Sequence, residues 1–285
     1  MATLKQIRGR IRAAKNIQQI TKAMKLVAAA RLKKATDRVT EARPYADKLK
    51  DIMTSLASGG ELPNHPLLQR RPVERALYIV LTSDRGLAGA FNTSLLRLAS
   101  DTLKRAEHGQ VLVTYGKKAT QFFTRRGFDV IDTLSAPSAG ARLEDAVQVT
   151  RGARHMFETG EVDAVYVVYA KFISAIRQVP QVVQLLPIEA PEGTPAGTGS
   201  ELTFEPSPEA VLDVLLPRYF QTLVWQAMLE STASEFGARM TAMTGATDNA
   251  GKMIQNLTLT ANRERQAAIT KEILEVVGGA EALNN

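Results

Sequence analysis

Residues Ser83 to Asn92 read SDRGLAGAFN, and they combine glycines, a cation and an acid directly after an apolar run. A phosphate cradle is built from such residues, because glycine lets backbone amides approach an anion closely. The spacing here is Gly86, Gly89, then Ala90. That is neither a dinucleotide fingerprint nor a phosphate loop, which would need Gly-Lys followed by Ser or Thr. A tight strand-to-helix turn is the better reading, with Asp84 and Arg85 as a local pair that shapes it. Elsewhere acids are paired only at helical or adjacent spacing, Glu272 with Glu275 and Glu144 with Asp145, as on solvated faces. His65, His108 and His155 stand in unrelated contexts, and cysteine is absent, so neither a metal cluster nor thiol chemistry is expected. Serine and threonine lack nucleophile contexts. The sequence contains no recognisable active site.

What remains is charge. Residues 1–40 hold eleven Lys or Arg against one acid, Asp37, a balance of +10; with +7 overall, the rest of the chain sums to 7 − 10 = −3. A segment this basic implies an acidic neighbour. Phosphate would serve, but single-strand recognition needs aromatic platforms, and none precedes Tyr45. The cations are also spread around the helix, so a nucleic-acid binder is the second reading. A membrane-surface helix needs large apolar residues that ITKAMKLVAA, residues 20–29, mostly lacks. No run of about 18 apolar residues is present, so no membrane insertion is expected. The start, MATLKQIRGR, lacks the apolar core of a signal peptide, which points to a cytoplasmic protein.

Two long helices must carry this charge. Residues 1–57 hold one proline, Pro44, and from Ala28 the apolar positions step strictly by four and three: Ala28, Leu32, Ala35, Val39, Ala42, Ala46, Leu49, Met53, Leu56. Before that, Ile11, Ala14, Ile17 and Ile20 step by three, which predicts a local overwinding. Pro44 predicts a bend. Residues 208–285 repeat the pattern through Leu229, Ala233, Phe236, Met240, Met243, Thr247, Ala250, Ile254, Leu257 and Ala261. Helices of this size are roughly 80 and 100 Å long, too long for a compact domain whose radius of gyration would be about 19 Å. An antiparallel coiled coil is expected, with an alanine-rich seam that buries little area per layer. Between a linker at 58–73 and a connector at 191–207, residues 74–190 alternate strands and helices. They predict a Rossmann-like, doubly wound α/β domain with an antiparallel edge strand over 179–188.

The N-terminal segment ATLKQIRGRIRAAKNIQQITKAMKLVAAARLKKA closely resembles that of the gamma subunit of F-type ATP synthase. SDRGLAGAFN is similar to the SDRGLCGGFN loop of that family, with Ala88 where many members have cysteine. ARMTAMTGATDNAG and RQAAITKEILEVVGGAEAL resemble its C-terminal helix and closing signature. The similarity covers essentially the whole chain, without the cysteine-bearing insertion of the chloroplast form. It implies a non-catalytic rotor shaft that couples ion-driven rotation of a membrane c-ring to the catalytic sites. Mg-ATP or Mg-ADP would be held by the partner subunits, and no cofactor by this chain. The implied partners are the alpha and beta subunits of the catalytic ring, the epsilon subunit and the c-ring. The implied location is peripheral, on the cytoplasmic face of the bacterial plasma membrane. By the same resemblance Met24, Lys25 and Arg239 match positions near an acidic lever of the catalytic subunit, and Arg265, Gln266 and Thr270 an upper contact with its catch loop. Val276 to Leu283 match the part held in an apolar bearing, and Phe204 and Glu205 the foot near the c-ring or epsilon.

Overall fold

The structure, a computed structural model, describes residues 3–58, 65–189 and 207–283. It divides into two compact units, Ala28–Arg239 and the pair of segments Met1–Val27 with Met240–Asn285. Each of the long helices, α1 (Leu4–Ser58) and α5 (Pro208–Leu283), contributes to both.

In the first unit five strands form one sheet: β1 (Arg75–Leu81), β2 (Gly109–Tyr115), β3 (Val130–Leu134), β4 (Ala164–Phe172) and β5 (Gln178–Leu186). Their order is β3-β2-β1-β4-β5, parallel except for β5, which pairs antiparallel with β4 at the edge as the flanking prolines predict. Helices α2 (Phe91–Arg105), α3 (Lys117–Thr124) and α4 (Leu143–Glu158) connect the parallel strands. β1 reads as an unbroken apolar run because both of its faces are covered. Leu77, Ile79 and Leu81 join Ala146, Val149 and Phe157 of α4 on one face. Ala76, Tyr78 and Val80 join Leu95 and Leu103 of α2 and Phe123 of α3 on the other. The long helices complete the first face, with Leu49 and Met53 from α1 and Leu212, Leu216, Phe220, Val224 and Met228 from α5. Each such side chain, fully buried, contributes about 1.5–3 kcal/mol. Ser234 of α5 adds a hydrogen bond from its hydroxyl to the Ala170 carbonyl at 2.9 Å.

The carboxyl ends of β1 and β2 meet at Gly116, which has φ +96°. A Cβ there would lie 2.4 Å from the Thr82 carbonyl oxygen, so only glycine fits. This turn starts α3 at Lys117.

In the second unit α1 and α5 run antiparallel. The Thr247 hydroxyl donates to Thr21 Oγ1 at 2.8 Å, and Gly251 faces Gln18, whose Nε2 would lie 3.1 Å from a Cβ at that position. The start of α1 is fixed by a reciprocal cap: the Thr3 amide donates to Gln6 Oε1 and the Gln6 amide to Thr3 Oγ1. The step by three does not set the seam. Ile17 and Ile20 are more than half exposed, and Ile7, Ile11, Ala14, Gln18, Thr21, Lys25 and Ala28 continue the four-three step at buried or half-buried positions. The seam is regular, but three of its positions are polar. Helix α1 also runs on through Pro44, which sits with Thr40 on the exposed face, where water can take the carbonyl that the proline leaves unbonded. Leu56 lies outside the described side chains. The α5 seam from Leu229 to Ala261 is buried or half-buried at every position that its pattern names.

His65 sits at the junction of the linker with the sheet. Its Nδ1 accepts the Leu67 amide at 3.0 Å, and its Nε2 lies 3.4 Å from Asp213 Oδ1 on α5. An Nδ1 that accepts cannot carry a proton, so the cap requires neutral imidazole. Burial also lowers the His65 pKa from its ordinary value, against the opposing pull of Asp213. The folded value lies below the unfolded one, so this stabilisation is complete above the unfolded pKa and is lost as pH falls through the folded one. The urea midpoint of the chain should therefore fall between pH 7.5 and pH 5. His65→Asn, which keeps a side-chain acceptor for Leu67 without titrating, should flatten that fall. An equal slope in parent and variant would remove His65 as a cause.

Candidate partner-binding surfaces

In doubly wound sheets ligands bind outside the carboxyl ends of the strands, where the strand order reverses. Here that point lies between β1 and β4, and the Ser83–Asn92 loop follows β1. The loop closes on itself. The Ser83 amide donates to Asn92 Oδ1 at 3.1 Å, the Ser83 hydroxyl to the Arg85 carbonyl at 2.7 Å, and Asn92 Nδ2 back to the Ser83 hydroxyl at 2.9 Å. Asp84 does not pair with Arg85 as its neighbour in sequence. Its Oδ1 accepts the amides of Lys117, the first residue of α3, and Ala136, both at 2.9 Å. These are the donors a bound phosphate would use, so the chain supplies its own anion. Behind the loop, Asp145 is buried and held by two hydrogen bonds from Arg142, at 2.7 and 3.2 Å, while the Tyr115 hydroxyl points at it from 3.5 Å. Burial and the nearby Asp145 both raise the Tyr115 pKa, which keeps the phenol neutral. This polar cluster is consumed by internal bonds.

Helix α5 closes the same region. Glu235 Oε1 receives Arg239 Nη2 at 2.7 Å, both side chains being largely buried, and the same nitrogen donates to the Gly86 carbonyl at 3.3 Å. Burial raises the Glu235 pKa, opposed by Arg239 and Arg31. Arg31 also lies over the Phe236 ring at 5.9 Å. Arg239, one of the residues matched by resemblance to a ring contact, is thus engaged inside the chain.

The other matched residues are disposed differently. Met24 and Lys25 are half-buried, Lys25 at a seam position. Arg265, Gln266 and Thr270 are exposed on α5. Phe204 and Glu205 lie outside the described residues.

Apolar exposure marks surfaces that the charge pattern did not reveal. On α1, Ile17, Ile20, Leu26 and Val27 face solvent. On α5 the partner numbers 21 with 247 and 18 with 251 sum to 268 and 269, which sets Leu4, the first residue of α1, opposite roughly residue 264. From Arg265 every described side chain is exposed, including Ile269, Ile273, Leu274, Val276 and Val277. Apolar side chains clustered along a bare helix mark an interaction site. A separate groove of about 400 Å³ lies in the sheet-bearing unit, lined by Tyr45, Leu143, Trp225 and Arg218 among others.

Residues 3–283 match the family described as ATP synthase. The ATP synthase gamma chain of Brevibacillus brevis is 47% identical over 284 residues, with 98% of both chains covered. That of Symbiobacterium thermophilum is also 47% identical, over 283 residues and 98% of both chains. The chain belongs to the ATP synthase gamma-chain family. Its fold is shared by a chain of the Euglena gracilis mitochondrial ATP synthase (OSCP, F1 and c-ring, rotational state 3), with a TM-score of 0.71 and 22% identity over 98% of this chain and 94% of that one. A chain in the central stalk and c-ring of the Tetrahymena thermophila mitochondrial enzyme gives a TM-score of 0.60 at 24% identity, over 80% of this chain and 99% of that one. Among the described residues of this gamma-family chain, no helix is long and apolar enough to cross a membrane.

The bare end of α5 has a measurable consequence. In the isolated chain, amides from about Arg265 onward should exchange with solvent far faster than those between Leu229 and Ala250, because no partner helix covers the former. Equal protection along the whole of α5 would show that another surface covers its end.

Proposed function

We infer that this chain is the central rotor shaft of an F-type ATP synthase, a non-catalytic subunit that couples rotation of a membrane c-ring to conformational change at catalytic sites in the beta subunits. Beside family membership, one observation carries the reading. Helix α5 continues past its antiparallel partner as a bare helix with exposed apolar side chains, as a shaft seated in a bearing requires. A rigid element of this kind acts by making different contacts with each surrounding subunit as it turns.

Residue by residue, Met24 and Lys25 face an acidic lever of the catalytic subunits. Arg265, Gln266 and Thr270 meet their catch loop, and the segment from Val276 lies in the bearing. Phe204 and Glu205 belong to the foot on the c-ring, beside the epsilon subunit. Mg-ATP or Mg-ADP stays in the partner subunits, and the complex places this chain on the cytoplasmic face of the plasma membrane. Support for the lever contact is electrostatic: among the described residues, none of the eleven cations of residues 1–40 forms an ion pair within the chain, and apart from Arg31, which lies over Phe236 and beside Glu235, their charge is offered outward.

Co-purification tests the reading directly. A tagged chain expressed in its own host should arrive with alpha and beta subunits and ATP hydrolysis. Arrival with nucleic acid and without a nucleotide-hydrolysing ring would overturn it in favour of the basic coiled-coil alternative.

Charge makes a second prediction. Exposed cations steer association and give it salt sensitivity more than they set final affinity. Any one lysine should be nearly silent. Replacing Lys22, Lys25, Lys33 and Lys34 together by Gln keeps helix propensity. Assembly with the catalytic ring should then be slower at low salt and less dependent on salt. The same salt slope in parent and variant would leave shape and packing as what the helix relies on.

A further inference from the structure

The Gly86–Leu87 corner is the part of the Ser83–Asn92 loop that the loop does not hold itself. Ser83, Arg85 and Asn92 bond to one another, Asp84 is bonded to α3 and to Ala136, and Ala88 is buried in the core beneath. Leu87 takes φ +62°, a left-handed conformation that costs a leucine energy, and its side chain is 66% exposed. A strained, solvent-facing leucine persists only if its surroundings hold it. Among the described residues, the hydrogen bond that reaches this corner from elsewhere in the fold is that of Arg239 to the Gly86 carbonyl.

Arg239 is in turn aimed by Glu235, one helical turn earlier on α5. The two side chains are 11% and 15% exposed, so the pair is shielded from water, and loss of one partner would leave the other buried and unpaired. Arg31 from α1 adds positive charge beside Glu235, and Asp84 adds negative charge from the loop side. The loop, α5 and α1 therefore converge on the Glu235–Arg239 pair.

We propose that Arg239 is a positioning residue: aimed by Glu235, it latches the Gly86 carbonyl and so holds the Gly86–Leu87 corner in the conformation that presents Leu87. This rests on the rotor reading for its consequence but not for its geometry. The effect of Arg239 on coupling then passes through the loop. Direct contact of the guanidinium with the ring predicts different behaviour, because removal of Glu235 would free Arg239 for that contact, whereas under the latch it disarms Arg239.

The test uses the full chain with Arg239→Met, which keeps the apolar stem, Glu235→Gln, the double variant, and Arg239→Lys. In the free chain, hydrogen exchange of the Gly86–Ala88 amides should speed up about tenfold in Arg239→Met, the factor that one ordinary hydrogen bond confers. Glu235→Gln should move in the same direction, the double variant should be no worse than Arg239→Met alone, and Arg239→Lys should recover most of the protection. In the assembled complex, the ratio of ion pumping to ATP hydrolysis should fall and recover in the same order. Unchanged exchange at the corner in a folded Arg239→Met chain overturns the latch. So does a fall in coupling for Arg239→Met with none for Glu235→Gln, since that pattern belongs to direct contact. A parent chain that never joins a catalytic ring defeats the rotor reading, while the exchange measurement on the free chain still decides the latch.

Discussion

Close approach of α1 and α5 through small and polar side chains constrains everything else in this chain. Where the two helices pair, the seam is Ala14, Gln18 and Thr21 against Thr247, Ala250 and Gly251. Such layers bring the backbones near each other but remove little apolar area from water. A leucine zipper of the same length would be stable alone and would bury its apolar residues inward. In this chain several large apolar residues face out instead, Ile17, Ile20 and Val27 on α1 and Ile269, Ile273 and Leu274 on α5. The hydroxyl pair Thr21–Thr247 supplies what weak packing cannot. A buried hydrogen bond has one good register, so sliding by a turn would leave it unmade. Register comes from polarity, and the apolar surface is left for partners.

Stability is then concentrated in the sheet. Phe220, Leu216, Val224 and Met228 of α5 and Met53 of α1 are core residues of the α/β unit as fully as any strand residue. The long helices are thus anchored by a large apolar core over part of their length and held elsewhere by the thin seam. The crevice that a doubly wound sheet usually reserves for a ligand is filled from within the chain. Asp84 occupies the amide at the start of α3 and that of Ala136 after β3, and Arg239, paired with Glu235, bonds the loop at Gly86. The same architecture that elsewhere holds a nucleotide here packs the long helices into its core, since function resides in sites and not in the fold itself.

Much of this was legible in the sequence. The parallel strands announce themselves because burial on both faces demands apolar runs such as RALYIVL, and proline confined β5 to an edge. The four-three pattern located both helices. It misled only over Ile11 to Ile20, where apolar residues were assumed to face the partner and the seam instead uses Gln18, Thr21 and Lys25. Continuing the step unchanged from Ala28 towards the N-terminus would have found those positions, since helix geometry is indifferent to polarity. The start of α3 is not legible in the sequence because its cause, Gly116 against Thr82 with Asp84 at the Lys117 amide, is tertiary.

Arg239 shows the other limit of sequence reading. Its ion-pair partner is four residues away and readable as a helical pair, but its carbonyl partner lies 153 residues earlier. An exposed pair at i and i+4 is worth little, so the sequence alone gave no reason to separate Glu235–Arg239 from surface pairs such as Lys271–Glu275. Burial separates them. Lys271 and Glu275 are mostly exposed, and water screens what they exchange, whereas Arg239 and Glu235 are shielded and each depends on the other for solvation. The cations of residues 1–40 have no ion pair among the described residues, and apart from Arg31, which lies beside Glu235, they can act at a distance. Arg239 is spent on a local contact. Among the described residues, positive charge near the start of the chain has no ion-pair partner, whereas in the middle of α5 it is engaged inside the chain.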